Sequence, residues 1–270
     1  MKILVVVQAR MASTRLPGKV LRPLAGVPLL QRMLERVRAA RTPSEVWVAT
    51  TSATEDDAIR ALCRRIGVPC YDGHPTDLLD RHYRAARAAR AEAVVKVPSD
   101  CPLIDPDVID RVVGGFLASP ERFDFVSNLH PASYPDGNDV EVLPFAVLET
   151  AWREALRRYE REHTTPFVWD QPERFRLGNV AWEHGVDLSI THRFTVDYPE
   201  DFAFAAAVYD ALWSPRRPFR LAEILRLLAA RPELQALNAR YAGVNWYRHH
   251  LGELRTVGAG ETRVEAEAAS

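Results

Sequence analysis

The chain has 270 residues, of which 47% are hydrophobic and 26% are charged. These values are close to those of an average globular protein and exclude a disordered, collagen-like or fibrous chain. The 35 basic and 36 acidic residues give a formal net charge of -1. No long basic block is present, so the sequence does not indicate a nucleic-acid partner.

Membrane insertion and disulfide bonding are also not indicated. The apolar run Ile3 to Val7 is too short for a membrane span or for the core of a signal peptide. The three cysteines, Cys63, Cys70 and Cys101, are odd in number and lack CxxC spacing. They favour a reducing compartment over a disulfide framework or a zinc site. We therefore expect a cytoplasmic protein.

Apolar runs alternate with amphipathic segments over the first 120 residues. The predicted strands are 3–7, 45–50, 68–71 and 93–97, and the predicted helices are 29–39, a helix opening at 54, 78–91 and 105–116. Four strand–helix repeats with short connections are typical of an α/β fold with a mainly parallel sheet and helices on both faces. Ligands of such sheets bind beyond the carboxyl ends of the strands.

The second half of the chain is less regular. Strands are predicted at 123–127, 140–143, 174–180 and 194–196, and helices at 145–158 and 199–212. We expect a main domain over 1–213 with a smaller inserted subdomain at about 129–192. A helical extension would follow at 214–256, and the tail at 257–270 is predicted to be disordered.

A loop rich in basic, hydroxyl and glycine residues follows the first predicted strand. It contains Arg10, Ser13, Arg15 and Lys19. Guanidinium groups bind phosphates bidentately, an ammonium group acts as a point charge, and backbone N–H groups can bind the remaining oxygens. The loop matches neither the Walker A pattern nor GxGxxG. It is either a site for several phosphates or a solvated basic loop.

Two acidic residues follow strands predicted to end at the same edge of the sheet. They are Asp100 and Asp197. Mg²⁺ usually takes one or two carboxylates together with phosphate oxygens, although both residues are also ordinary in turns. Asp105 and Asp107 have the Asp-x-Asp spacing of a metal motif, but their position at a helix start favours capping.

Three sequence runs in this order resemble the cytidylyltransferase family. They are ARMASTRLPGKVL from Ala9, SDCPLID from Ser99 and TVDYPEDF from Thr195. This family includes the CMP-Kdo and CMP-sialic acid synthetases. The chain is most similar to the branch of the spore-coat polysaccharide biosynthesis protein F, as the runs DLLDRHYRAA, YPDGNDVEV and EHTTPF also indicate. The resemblance covers about residues 1–212.

The resemblance implies a Rossmann-like nucleotidyltransferase fold, shared with nucleotide-sugar glycosyltransferases. It implies transfer of CMP from CTP to a sugar, an acidic one by analogy, with release of pyrophosphate and with Mg²⁺ as cofactor. A role in surface polysaccharide biosynthesis and a homodimer are expected on the same ground. The subdomain at about 129–192 would then supply acceptor contacts or a dimer face.

The resemblance also assigns residues to roles. The triphosphate would be held by the basic loop, at Arg10, Ser13, Arg15 and Lys19. Mg²⁺ would be held by Asp100 and Asp197, and the base would lie near Ala9, Pro98 and Ser99. The catalytic set would be Arg10, Arg15, Lys19 and Asp100.

The acceptor contacts are not carried over, because the motifs that bind the sugar in the Kdo enzymes differ here. Three residues are candidates on local grounds. Asp139 and Glu141 alternate onto one face of a predicted strand, where they would receive sugar hydroxyls or form a solvated face. His163 either lies near the sugar or has a structural role.

Two other functions remain open. A glycosyltransferase of the same fold would use a nucleotide-sugar and would depend on an Asp-x-Asp metal site. A non-catalytic protein would bind a nucleotide without turnover. The basic loop favours the cytidylyltransferase, because a triphosphate with a pyrophosphate leaving group needs several cations.

Overall fold

A twisted β-sheet lies at the centre of the computed structural model, which describes residues 1–263. The strands are β1 (Ile3–Gln8), β2 (Pro23–Leu24), β3 (Val27–Pro28), β4 (Glu45–Thr51), β5 (Cys70–Gly73), β6 (Ala93–Pro98), β7 (Phe125–Ser127), β8 (Glu141–Pro144) and β9 (Leu177–Asn179). The helices are α1 (Leu29–Val37), α2 (Asp57–Ile66), α3 (Leu78–Ala89), α4 (Pro106–Leu117), α5 (Phe145–Glu154), α6 (Arg158–His163), α7 (Pro166–Trp169), α8 (Pro199–Leu212), α9 (Leu221–Ala230) and α10 (Pro232–Ala236).

Seven of these strands form one sheet in the order β5-β4-β1-β6-β8-β7-β9. The pairs β5–β4, β4–β1 and β1–β6 are parallel. Strand β8 runs antiparallel to both β6 and β7, and β9 is parallel to β7. The predicted α/β class with a mainly parallel sheet is confirmed.

Both faces of the sheet are covered by helices, because β1 is apolar on both sides. Ile3, Val5 and Val7 pack into a core shared with α1, α2, α4, α8 and α9. Leu4 and Val6 point to the other face and pack against α3, α5 and α7. A strand buried on both faces reads as a continuous apolar run, which is why β1 was detectable in the sequence.

The predicted boundaries were wrong in two places in the second half. The helix predicted over 145–158 ends at Glu154, and α6 begins at Arg158. The Glu160 carboxylate accepts the N–H groups of Leu156 and Arg157 at 3.1 and 2.9 Å, which starts a new helix. Residues 194–196 lie outside the strands, and the N–H groups of Phe194 and Val196 donate to the loop carbonyls of Asp136 and Asp100, both at 2.7 Å.

The region 129–192 contributes β8 and β9 to the main sheet, and its division as a subdomain stays a prediction. The expected extension contains α9 and α10. Of the expected tail, residues 264–270 lie outside the described residues, whereas Val257 and Thr262 are buried. No helix within residues 1–263 is long and apolar enough to cross a membrane.

Candidate active site

Three loops meet at one edge of the sheet. Gln8 and Pro98 are register partners at the carboxyl ends of β1 and β6, so the loops that follow these strands start side by side. Strand β8 is antiparallel and begins at Glu141 opposite Lys96. The loop that precedes β8 therefore reaches the edge that the loops after β1 and β6 also occupy.

The loop after β1 is folded around Met11. The Met11 carbonyl accepts the N–H groups of Ser13 and Gly18 at 2.8 and 3.0 Å, and the Met11 N–H donates to Asp56 at 2.7 Å. Gly18 has φ +67°, a left-handed conformation that glycine adopts without strain. This turn leads into a short 3₁₀ segment that begins at Lys19, whose side chain points inward.

Lys19 joins the two acidic residues predicted to bind metal. Its buried Nζ donates to Asp100 Oδ2 at 3.1 Å, to Asp197 Oδ1 at 2.9 Å and to the Val196 carbonyl at 2.7 Å. Burial lowers the pKa of Lys19, but the two carboxylates outweigh it and the net pKa is raised. Burial raises the pKa of Asp197, but Lys19, Arg15 and Arg193 bring it down to about 2.

A second cation network lies directly behind Asp197. The buried Arg193 guanidinium contacts Asp197 at 3.1 Å, Asp136 at 3.2 Å and Asp201 at 2.9 Å. Asp201 is fully buried and accepts the N–H groups of Asp197 and Tyr198, both at 2.9 Å. These contacts fix the backbone of Asp197 at the start of α8.

The sequence reasoning gave no role to Arg193, Asp136 or Asp201. A signal was available for Asp201, since an acidic residue three positions into a helix that opens with Pro199 is a capping arrangement. Arg193 precedes an apolar segment and carries no local pattern. Its four acceptor residues lie far apart in the chain. They are Asp136 before β8, Asp197 before α8, Asp201 in α8 and the Val244 carbonyl at 2.8 Å.

Two of the predicted acceptor residues, Asp139 and Glu141, lie just before β8 and at its first position. The buried Glu141 accepts hydrogen bonds from Lys96 Nζ at 3.0 Å and from Thr165 Oγ1 at 2.6 Å, so it is paired. Asp139 accepts the Gly137 N–H at 3.1 Å. Burial, together with Asp100 and Glu141, raises the pKa of Asp139 to about 6, against the opposing effects of that hydrogen bond and of Lys96.

His163 is stacked on Trp246, with ring centroids 3.8 Å apart and an interplanar angle of 10°. Burial and the nearby Lys96 lower the pKa of His163 to about 3. The ring is therefore neutral at physiological pH. It presents an aromatic face and ring nitrogens, not a positive charge.

A cavity of about 400 Å³ unites most of these groups. The predicted residues that line it are Arg15, Pro98, Asp100, Asp139, Glu141, His163 and Asp197. Lys19 lies beneath it through its contacts with Asp100 and Asp197. Ala9, Arg10, Ser13 and Ser99 do not line the cavity; Ala9 and Ser99 are buried, and Arg10 is exposed on the loop. Their roles stay predictions.

Capping, not metal binding, explains the Asp-x-Asp sequence. Asp105 is the N-cap of α4 and accepts the Asp107 N–H at 2.9 Å, with Pro106 at the first helical position. It also accepts the Leu221 N–H. Within residues 1–263 no group of three or more His, Cys, Asp or Glu side chains is arranged to hold a metal. A metal at this site would need oxygens from its ligand in addition to the carboxylates.

The fold is that of a nucleotidyltransferase. A cytidylyltransferase from Leptospira borgpetersenii superposes with a TM-score of 0.82 at 31% identity, over 87% of this chain and 96% of that chain. A CMP:2-keto-3-deoxy-manno-octonic acid synthetase solved with CTP shares the fold, with a TM-score of 0.58 and 19% identity over 78% of this chain and 99% of that chain.

The family follows from the sequence comparison. The cytidylyltransferase model matches residues 4–238, and the chain belongs to this family. The spore coat polysaccharide biosynthesis protein SpsF of Bacillus subtilis is 28% identical over 86% of this chain and 95% of its own length. The 3-deoxy-manno-octulosonate cytidylyltransferase of Geobacter sulfurreducens is 39% identical over 44% of this chain and 47% of its own length.

Proposed function

We propose that this protein transfers CMP from CTP to a hydroxyl group of a sugar and releases pyrophosphate. The observation that carries the proposal is that Lys19 joins Asp100 and Asp197, which line one cavity at the carboxyl edge of the sheet. Family membership supports the nucleotide, and the likeness to SpsF and to the octulosonate enzymes supports an acidic sugar destined for a surface polysaccharide.

The phosphate end of the site is the region around Lys19 and Arg15. Arg15 contacts Asp197 at 2.8 Å and its side chain is 42% exposed, so it can turn from that carboxylate to a phosphate. Lys19 supplies a buried positive charge, because the pKa of its ammonium group is raised. Arg10 and Ser13 lie on the same loop, where Arg10 adds a positive charge and Ser13 adds a hydroxyl group for a triphosphate.

Asp100 and Asp197 fit a Mg²⁺ ion. Their oxygens converge on one cationic atom, Lys19 Nζ, at 3.1 and 2.9 Å. Hard carboxylate oxygens completed by phosphate oxygens are the ligand set that Mg²⁺ prefers. When bound, the ion would neutralise charge that develops on the phosphate oxygens.

The reaction is an in-line displacement at the α-phosphorus. The sugar oxygen forms a bond to phosphorus and gives its proton to water. The bond from phosphorus to the bridging oxygen breaks, and pyrophosphate carries away the bonding electrons. The chain's task is to position the two substrates and balance charge. The lining of the cavity by Asp100 and Asp197 and also by Asp139 and Glu141 supports such an arrangement.

The glycosyltransferase alternative has less support, because its metal motif would use Asp105, which caps α4. The test is pyrophosphate release with each of the four NTPs and Mg²⁺ against a panel of acidic and neutral sugars. We expect release with CTP alone among the nucleotides. Release with no pair, together with transfer from a nucleotide-sugar, would overturn the proposal in favour of the glycosyltransferase.

Two variants sharpen this test. Lys19→Met should lower kcat by at least about 100-fold, as expected when a preorganised charge is removed from the transition state. Lys2→Met is the matched control, because Lys2 pairs with Glu45 on the surface at 2.8 Å. Nucleotide binding that persists in the wild type without turnover of any sugar would favour the non-catalytic alternative.

A further inference from the structure

The cavity extends beyond the part of the chain that matches the family. The family model ends at residue 238. Seven later residues line the cavity, namely Gly243, Val244, Asn245, Trp246, Tyr247, Gly260 and Glu261. We call residues 243–247 the C-terminal wall. The residues proposed to bind the nucleotide thus lie within the shared family region, whereas part of the cavity lining lies outside it.

The C-terminal wall is held in place by hydrogen bonds at Val244 and Asn245. The Val244 carbonyl accepts a hydrogen bond from Arg193 Nη1 at 2.8 Å, which ties the wall to the network behind Asp197. Asn245 Nδ2 donates to the Glu261 carbonyl at 2.9 Å, and Asn245 Oδ1 accepts the Tyr247 N–H at 3.0 Å. These contacts make the wall a built surface of the cavity.

Aromatic rings dominate this side of the cavity. Trp246 is stacked on His163 at 3.8 Å, and its ring lies 4.7 Å from that of Tyr247 and 6.2 Å from that of Trp169. All four residues line the cavity. Large rigid aromatic faces of this kind take up the apolar face of a ligand, while a few polar groups orient it.

Acidic residues outnumber basic residues in the lining of the cavity. The cavity-lining cations of the described chain are already paired, with Arg15 on Asp197, Lys96 on Glu141 and Arg193 on three carboxylates. Asp139 has one hydrogen bond among the described residues, from the Gly137 N–H, and no cation bound to it. An ionised carboxylate accepts hydrogen bonds and donates none. An uncharged ligand group that binds the ionised Asp139 therefore acts as a hydrogen-bond donor.

We infer that the C-terminal wall completes the acceptor subsite, with Trp246 as the platform for a sugar ring and Asp139 as the acceptor for a hydroxyl or amino group on that ring. This inference rests on the proposed function for the identity of the reaction. It adds which part of the sugar the subsite binds, namely the ring and a hydroxyl or amino group on it. A carboxylate on the sugar lies away from Asp139.

Trp246 is tested with a matched pair of tryptophan substitutions. We expect Trp246→Ala to lower kcat/KM for the acceptor at least tenfold, mainly through KM, and to leave the Kd of CTP with Mg²⁺ within twofold of the wild type. Trp246→Phe keeps an aromatic face and should recover most of the loss. Trp213→Ala is the control, because Trp213 is 42% exposed and does not line the cavity.

Three outcomes overturn this role of Trp246. They are an unchanged acceptor KM in Trp246→Ala, an equal weakening of CTP binding, or the same acceptor defect in Trp213→Ala. The sugar panel is also titrated by calorimetry without nucleotide. If the wild type turns over no sugar, the proposed function fails. Sugar binding that is lost in Trp246→Ala and kept in the wild type would still support the subsite. Sugar binding that is equal in the two proteins, or absent from both, would overturn the subsite.

Asp139 is tested with three sugar analogues that differ at a single position remote from the reacting hydroxyl. At that position the analogues have a hydroxyl, an amine or a carboxylate group. The hydroxyl and amine forms should be accepted and the carboxylate form disfavoured at least tenfold in kcat/KM. Asp139→Asn should reduce that discrimination. A preference for the amine over the hydroxyl would identify an amino sugar, and equal use of the carboxylate form by the wild type would overturn the assignment of Asp139.

Discussion

Replacing Asp139 by asparagine should stabilise the ligand-free protein at alkaline pH. The pKa of Asp139 is raised from 3.8 to about 6, first by burial and then by Asp100 and Glu141, despite the opposing effect of Lys96. A carboxyl group with a raised pKa keeps its proton longer in the folded protein than in the unfolded chain. Its ionisation therefore costs folding free energy as pH rises from about 4 to about 6.

The size of this cost follows from the shift. About two pKa units correspond to about 3 kcal/mol, of which only a small part is present at pH 4 and all is present at pH 8. Asparagine keeps the shape and can still accept the Gly137 N–H, but it does not ionise. At about 2 °C for each kcal/mol in a chain of this size, we expect Asp139→Asn to raise Tm by about 6 °C at pH 8 and hardly at all at pH 4.

The assay is thermal unfolding between pH 4 and pH 8 in EDTA without nucleotide, so that no bound ion alters the charge of the site. Asp210→Asn is the matched control, because Asp210 is exposed on α8. A Tm difference between Asp139→Asn and the wild type that does not change with pH would refute the reasoning. So would a variant that is less stable at pH 8.

Four further substitutions test the network and its supports. Asp100→Asn should lower kcat at least about 100-fold while Asp210→Asn does not, as read from pyrophosphate release; near wild-type turnover would contradict the role of Asp100. Arg193→Met leaves buried carboxylates unpaired and should lower the free energy of urea unfolding by about 3–5 kcal/mol. An unchanged urea midpoint would contradict this prediction. Gly137→Ala places a Cβ 2.6 Å from the Thr195 nitrogen at a φ of +100°, so the soluble yield and the Tm of this variant should fall sharply. Gly258 has open space around it, so Gly258→Ala should change neither quantity. Asp105→Ala removes the cap of α4 and should cost about 1–2 kcal/mol in urea unfolding with the Kd of CTP unchanged; weaker CTP binding would point to a role beyond capping.

The parallel half of the fold was predictable because its signals are local. A strand buried on both faces is an apolar run in the sequence, as in β1, and a proline after a capping aspartate marks the start of α4. The antiparallel insertion of β8 between β6 and β7 was not predictable, since it depends on which edge a short strand pairs with.

The site was predictable only where residues follow strands directly. Asp100 follows β6, and the basic loop follows β1, so both had to lie at the carboxyl edge. Arg193 and Trp246 act through contacts with segments far away in the sequence, and no local spacing predicts such partners. The sequence therefore pointed to the nucleotide half of the cavity more clearly than to the C-terminal wall.

The hydrogen bond from Lys19 to Asp197 has a consequence for the order of folding. It joins residues 178 positions apart, and the bond from Arg36 to the Phe219 carbonyl spans 183. Closing loops of that length costs entropy that is recovered only after the intervening strands have paired. We therefore expect the cavity to be completed late in folding. A nascent chain that has not yet reached residue 197 includes the residues of all seven strands of the main sheet but lacks one of the two carboxylates that meet at Lys19.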